Sequence, residues 1–543
     1  MSVEAGLALR FLAAALLAGM QQLPGADSAA VEGVVANKTS GAPVKKALVT
    51  LRSAEENSGY QALSAADGRF RIGNIAAGEY EVWVEAQGFV RQAGPSAALS
   101  IELAEGQNRK DLAIRLVPLG AISGRVLDEN GDPVAGVTLE ARHYSYSRSS
   151  KILRSGGRGT TDSRGEYRVF DLPPDRWYLE AKKTPAELTA TGRVHSALPA
   201  EVYGDTFFPN AARAAETAGI ELAPGADVGR IDIRLRRTRL FTIRGKVLDA
   251  RTSEPAGGAQ LDIGECAPEE DGGYLVNALR TGAFAITEMP PGRYCIVATA
   301  PGDPPLYSTL REVVVADRDV DDVVLRVEPT STLRGVALIE GGPLEKLKSG
   351  YVILDPIGGA ASSASAPIGA DGSFLLASVP PQAYRVRANR TAPGVYLKSV
   401  RFGPQDASED GLIVVAPGGG GLSVVFGADT GAVEGTVETG GAAIGSLRVT
   451  LAPEGRYARR EDLIQTVEVE SPGARFRLDN VAPGDYRIFA WGVPDEEFIE
   501  YPGLRQLFES KAVSITVGAG ERKTVQADLI SADEIEEARR KLR

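Results

Sequence analysis

The sequence predicts an all-β protein of five tandem antiparallel β-sandwiches, arranged as beads on a string and ending in a short helix. Three observations predict it. A pair of aromatic residues ten positions apart recurs five times: Phe70/Tyr80, Tyr167/Trp177, Phe284/Tyr294, Phe374/Tyr384 and Phe476/Tyr486. A matching apolar segment with a central glycine precedes each pair: "VEGVV" at Val31, "ISGRV" at Ile122, "IRGKV" at Ile243, "LRGVA" at Leu333 and "VEGTV" at Val433. From that glycine to the first aromatic is 37, 43, 39, 39 and 41 residues in turn. Finally, Gly 62 and Pro 32 in 543 residues supply many turns, as short strands require and long helices do not.

Each element follows from local chemistry. Near the N-terminus Arg10 precedes the apolar run Phe11–Gly19, and small residues follow up to Ser28-Ala29-Ala30. That order reads as an export signal over 1–30, too short to span a bilayer. Inside each repeat an apolar residue follows the first aromatic at +2 (Ile72, Val169, Ile286, Leu376, Leu478). Others follow the second aromatic at +2 and +4, as Val82 and Val84 do. Alternation of period 2 marks strands with one buried face. Between the two strands stands an apolar residue (Ile75, Leu172, Met289, Val379, Val481) and then Ala-Ala, Pro-Pro or Ala-Pro. Proline has no N–H for a ladder, so the chain turns there, and the apolar residue is expected to plug the end of the core. A last strand closes each unit, as Asp111–Val117 and Lys523–Ile530 do.

Units of about 100 residues with frequent turn signals fit sandwiches. The expected boundaries are 31–118, 119–238 with a long loop insertion, 239–329, 330–428 and 429–531. The tail 532–543 reads as helix, with Glu536–Arg540 and Glu537–Lys541 at i, i+4.

In the second unit Gly124, Val126, Pro133, Gly165, Tyr167, Pro174 and Trp177 resemble the motifs of the carboxypeptidase regulatory-like domain. Gly33, Val35, Pro43, Asp67, Gly68, Phe70, Gly78 and Tyr80 do so in the first. The resemblance implies a transthyretin-like, Ig-like sandwich, grouped with carbohydrate-binding-like folds, that serves as an accessory in exported and surface proteins. It transfers fold, not activity, because every matched residue has a structural role. Unit 4 departs from it with Gln382 for the turn glycine, and unit 5 carries an extra residue between Gly473 and Phe476. Isopeptide-forming adhesin sandwiches are a rival of similar shape. They need a first-strand lysine, and Lys246 is the residue in that slot of unit 3.

The chemistry of catalysis is sparse. The two histidines, His143 and His195, have no metal-ligand companion at helical or strand spacing. There is no G-x-S-x-G elbow and no GxxxxGK[ST] loop. Asp128, Asn130 and Asp132 imitate half of a calcium loop, but Pro133 holds its sixth position and no acid its twelfth, so a turn is expected. The acidic run Asp317–Asp322 reads as a solvated strand edge. Catalytic residues, metal and cofactor are therefore expected to be none. Cys266 and Cys295, the two cysteines, are a candidate disulfide. Cys295 follows a core-facing Tyr294, so two separate thiols are the alternative. A net charge of −11 argues against nucleic acid as partner.

The insertion of unit 2 carries His195, Tyr203, Phe207 and Phe208. Aromatic rings on a loop at one end of a sandwich can stack on sugars or grip a peptide, which makes Tyr203, Phe207 and Phe208 the candidate binding residues; folding back over the sandwich is the alternative. The expected function is a non-enzymatic scaffold or binding protein, exported to the periplasm, exterior or cell surface, with no transmembrane span after export. It would meet a protein or polysaccharide partner, or alternatively bind carbohydrate itself.

Overall fold

The computed structural model describes residues 28–53, 59–91, 99–146, 151–183, 201–266, 273–357, 363–389, 391–440, 446–470, 474–492 and 496–542. The export signal expected over 1–30 lies almost wholly outside them. The fold is all-β, a tandem series of sandwiches, each with an opening strand, a central hairpin and a closing strand. In the first, one sheet is ordered Arg69–Ile75, Ala29–Asn37, Asn108–Pro118, Phe89–Arg91. The other is ordered Gly59–Leu63, Leu48–Ser53, Gly78–Glu85, Leu99–Leu103. The fourth sandwich repeats this division, whereas in the third and fifth the two sheets join along one hydrogen-bonded path. Pairing is mostly antiparallel, but at a recurring place the opening strand runs parallel to the closing strand, as Val35 beside Ile114 and Val247 beside Leu325, and in the fifth sandwich Ala490–Trp491 also runs parallel to Leu529–Ile530.

The hairpin aromatics are core residues. Phe70, Phe284, Phe374 and Phe476 belong to four distinct hydrophobic clusters, and Tyr167 is buried in the second sandwich. The expected plugs, Ile75, Leu172, Met289, Val379 and Val481, are all buried.

The opening glycine and the first aromatic are one device. Gly33 lies opposite Phe70, Gly245 opposite Phe284, Gly335 opposite Phe374 and Gly435 opposite Phe476. A Cβ on Gly33 would stand 2.1 Å from the Leu112 carbonyl oxygen and 2.8 Å from the Phe70 ring. On Gly335 it would meet the Phe374 ring at 2.0 Å. The ring thus lies flat on bare backbone, an aromatic shielding a strand glycine from water.

A second device was not visible in the pattern of apolar residues. Four positions after each first aromatic stands a residue of positive φ: Asn74 at 55°, Asp171 at 59°, Glu288 at 66°, Ser378 at 55° and Asn480 at 61°. The pairing register with the opening strand shifts beside it in sandwiches one, three, four and five. This is a β-bulge, and it makes the strand's alternation slip by one before the plug.

A third device holds the turn. The hydroxyls of Tyr80, Tyr294, Tyr384 and Tyr486 donate to the carbonyl four residues back, at 2.9, 2.8, 3.1 and 2.8 Å. Each ties the proline- or alanine-rich turn to its own strand, in the manner of a tyrosine corner. The repeat also needs a left-handed residue before the hairpin, supplied by Gly68, Gly165, Gly282 and Gly372 at φ 78°, 69°, 70° and 81°. In the fifth sandwich Ala474 takes that place at φ 39°. Its carbonyl accepts from Val437 as the glycines' carbonyls accept from their opening strands, which accounts for the extra residue there.

Internal contacts divide the chain into two compact units. The first comprises residues 1–121 with 171–174 and 223–226, and the second comprises the rest, so sandwiches two to five are grouped by contact although Phe284, Phe374 and Phe476 lie in separate clusters. Within the second unit Arg460, 2% exposed, bonds Asp462 and donates to the carbonyls of Leu397 and Ser408, joining the fifth sandwich to the fourth. The α-helices among the described residues all follow Glu496: α1 (Glu496–Ile499), α2 (Pro502–Leu507) and α3 (Ala532–Lys541). Helix α3 is the tail helix expected from sequence, capped by Ser531 and Glu534 in a reciprocal box.

Candidate functional site

The second sandwich departs most from the repeat, and the candidate binding residues lie there. Its strands Thr138–Tyr146 and Lys151–Thr160 form a long hairpin, and Asp175–Lys182 pairs with the former. The insertion returns across the edge of this sheet, Thr206–Phe207 pairing with Glu180–Ala181 and Ile220–Leu222 with Asp175–Trp177. It also adds a short ladder of its own, Glu201–Gly204 against Arg236–Arg239. His195 lies outside the described residues.

This placement corrects the expectation for Phe207. Its ring is 3% exposed and packs with Leu153, Tyr178, Ala211 and Ala214, so it covers the sandwich and cannot stack on a ligand. The apolar outer face of the sheet is the cause, since leaving Tyr178 and Leu153 in water would forfeit burial worth about 2 kcal/mol per large side chain. Phe208 is half-buried beside it. Tyr203 is half-buried too, its hydroxyl donating to Glu129 at 3.0 Å with the Arg237 guanidinium 5.3 Å from the ring centre. Arg237 in turn donates to Glu129 at 2.6 Å. The three candidates are near in sequence, but the structure gives them separate jobs.

What the sequence did not mark is a buried charge network on the same sheet. Arg142 lies 3.0 Å from Glu140 and 2.7 Å from Glu180, the second contact lying off the line of a hydrogen bond. Arg158 donates to Glu140 at 2.8 Å, and Lys182 stands 3.3 Å from Glu180 and 3.8 Å from Asp205. Burial raises the Glu140 carboxyl, but hydrogen bonds from Arg158 and Arg142 outweigh it and hold the pKa at about 2. For Glu180 burial wins over the attraction of Lys182 and Arg142, and its pKa is raised. The network satisfies charges under the returning insertion. Its signal was available: Glu140, Arg142, Glu180 and Lys182 alternate with apolar residues on neighbouring strands.

His143 Nδ1 lies 3.1 Å from Asp175, and its ring is tilted against Trp177 with centroids 4.9 Å apart. Asp128 folds a turn, accepting from the N–H groups of Asn130 and Asp132 at 2.8 Å each. Among the described residues no group of three or more His, Cys, Asp or Glu could hold a metal ion. Lys246 is exposed, away from the buried setting that an isopeptide bond needs. In the acidic run Asp319 accepts from Thr242 N–H and pairs with Arg244. In the third sandwich Cys266 and Cys295 form a disulfide with Cα atoms 5.0 Å apart. Tyr294 points into the core and Cys295 to the other side, so the bond sits on the sheet's outer side.

Residues 30–117 match the family model of the carboxypeptidase regulatory-like domain. The first sandwich is similar to a carboxypeptidase regulatory-like domain. In this sandwich the motif residues Gly33, Phe70 and Tyr80 are those that build the glycine–aromatic pair and the tyrosine corner. No curated protein matches the sequence significantly. Among solved structures the chain is similar to the Bacillus anthracis TIE protein, at 12% identity and TM-score 0.17, over 56% of this chain and 51% of that one. It thus spans about half the length of that protein. It is also similar to a streptococcal ancillary pilin, at 11% identity and TM-score 0.20, over 56% of this chain and 99% of that one. GBS52, the minor pilin of Streptococcus agalactiae, aligns at 13% identity and TM-score 0.22 over 38% and 94%. No helix among the described residues is long and apolar enough to cross a membrane.

Proposed function

We propose that the protein is an exported, non-enzymatic scaffold of the cell envelope, whose β-sandwiches, divided near 31–118, 119–238, 239–329, 330–428 and 429–531, hold loops toward a protein or surface partner. The disulfide between Cys266 and Cys295 carries the export part of this reading, because such bonds persist in oxidising compartments and are rare in a reducing cytosol. The apolar run at Phe11–Gly19 supports it independently. The scaffold part is supported by the use of the repeated motif residues: the glycines, rings and tyrosine hydroxyls are consumed in packing and turn closure. Binding would then fall to the segments that differ between sandwiches, many weak contacts adding through multivalency. The carbohydrate reading loses Phe207, since a buried ring offers no stacking surface. Half-buried Tyr203, with the exposed Glu129 and Arg237, is the polar and aromatic group left to it.

Expression of the full chain in a diderm bacterial host tests export. Recovery outside the cytosol with a new N-terminus near Val31 is the expected result, and an intact Met1 in the cytosol would overturn it. Affinity capture with the mature chain, beside a glycan array, then separates a protein partner from saturable sugar binding.

A further inference from the structure

The two largest departures from the repeat meet each other. In the first, third and fourth sandwiches the second and third strands are 6 and 5, 6 and 5, and 6 and 4 residues long. In the second sandwich they are 9 and 10. The extra length leaves His143–Tyr146 beyond the last pairing with Asp175–Lys182, which ends at Arg142 opposite Tyr178. In the fifth sandwich the departure is the helical cap of α1, α2 and α3.

Tyr146, at the end of the overhang, is 7% exposed, and its burial is provided by the cap. Its ring centre lies 5.0 Å from that of Phe498 and 5.0 Å from that of Tyr501. Phe498 is 1% exposed, and the Arg539 guanidinium from α3 lies 4.2 Å over its ring. Behind it Trp491 and Phe508 stand edge to face at 5.7 Å, and Ile535 of α3 closes the cluster. Three aromatic rings and a cation thus converge from segments more than 350 residues apart, each from a part of the chain that the other repeats lack among the described residues.

We propose that the overhang is a latch: Tyr146 docks into the helical cap of the fifth sandwich within one chain and makes sandwiches two and five open together. Aromatic pairs of this kind add to stability beyond the area they bury, and a ring held on both sides resists release. The tail helix is on this account the clasp of the latch. The inference does not depend on what the protein binds or where it is exported.

Light-driven oxidation of the full-length chain, which joins neighbouring tyrosine rings, tests it with a control built in. Tyr144 and Tyr178 lie 5.1 Å apart within the second sandwich and should cross-link whether or not the latch forms. The expected result is a Tyr146–Tyr501 cross-linked peptide from the monomer band, lost in Tyr501→Phe while the Tyr144–Tyr178 product persists. Formation of the control product without Tyr146–Tyr501, or its appearance in a cross-linked dimer alone, would overturn the proposal. A second readout is amide exchange in α3, expected to quicken in Tyr146→Ala, and unchanged exchange there would overturn it equally.

Discussion

The third sandwich and the second share the opening strand, central hairpin and closing strand but differ at their outer faces and strand ends. Both have a core aromatic, Phe284 or Tyr167, a left-handed bulge residue four positions on, and a buried plug, Met289 or Leu172. The third closes its turn with the Tyr294 hydroxyl, whereas in the second Trp177 stands there, with Gly156 leaving room for its ring. A Cβ on Gly156 would reach that indole at 2.3 Å. The third is fastened outside its core by a disulfide, the second by a buried charge network and a returning insertion. The difference teaches that the hairpin specifies the sandwich, while the outer face and the strand ends are free to be used otherwise.

The comparison breaks most directly at the opening glycine. Gly245→Ala would place a methyl 2.0 Å from the Val323 carbonyl and 2.5 Å from the Phe284 ring, and Gly124→Ala one 2.0 Å from the Ile231 carbonyl. Both should lose at least about 4 kcal/mol, the range of severe core disruption, in denaturant unfolding. A tolerated alanine in either would mean that the two hairpins are built differently.

Next comes the charge network of the second sandwich. Glu140→Ala leaves Arg142 short of a buried partner and should cost about 3 kcal/mol. The pH dependence has a definite sign. The Glu140 pKa of about 2 lies below its unfolded value, so its contribution is complete above about pH 4.5 and fades as pH falls toward 2. Glu180 is raised, so its contribution is present at low pH and is lost as pH rises through the folded value. Acid unfolding should therefore be less steep in Glu140→Gln, and Glu180→Gln should gain stability relative to the parent at alkaline pH.

Reduction of Cys266–Cys295, with residues 29 apart in sequence, should lower the stability of the third sandwich by about 3 kcal/mol and leave the second unchanged. Smallest is Tyr294→Phe, which removes a single hydrogen bond and should cost about 1 kcal/mol. Thermal unfolding followed by peptide-level exchange resolves all four.

Much of the fold was legible because it rests on side chains at fixed intervals. The ten-residue spacing, the turn prolines and the residues at +2 mark buried faces, and Ile72, Val169, Ile286, Leu376 and Leu478 are all buried. The bulge was hidden because Asn, Asp, Glu, Ser and Asn share polarity rather than identity, and left-handed backbone is not confined to glycine. The parallel closing strand was hidden because alternation reports a buried face and not a strand's direction. Phe207 was misplaced since a loop aromatic reads alike whether it faces water or turns back, and the difference lies in the apolar Tyr178 and Leu153 waiting for it. The contact of Tyr146 with Phe498 is a matter of tertiary packing that no local pattern carries.

The account stands on separate cores, each organised by its own glycine and aromatic. Amide exchange by mass spectrometry on full-length Gly33→Ala tests that most directly, because Gly33 lies in the first sandwich and faces Phe70 alone among the hairpin aromatics. Accelerated exchange confined to Ala29–Pro118, with the remaining sandwiches as protected as in the parent, is the predicted result. Acceleration spread evenly along the chain, or none within the first sandwich, would contradict it.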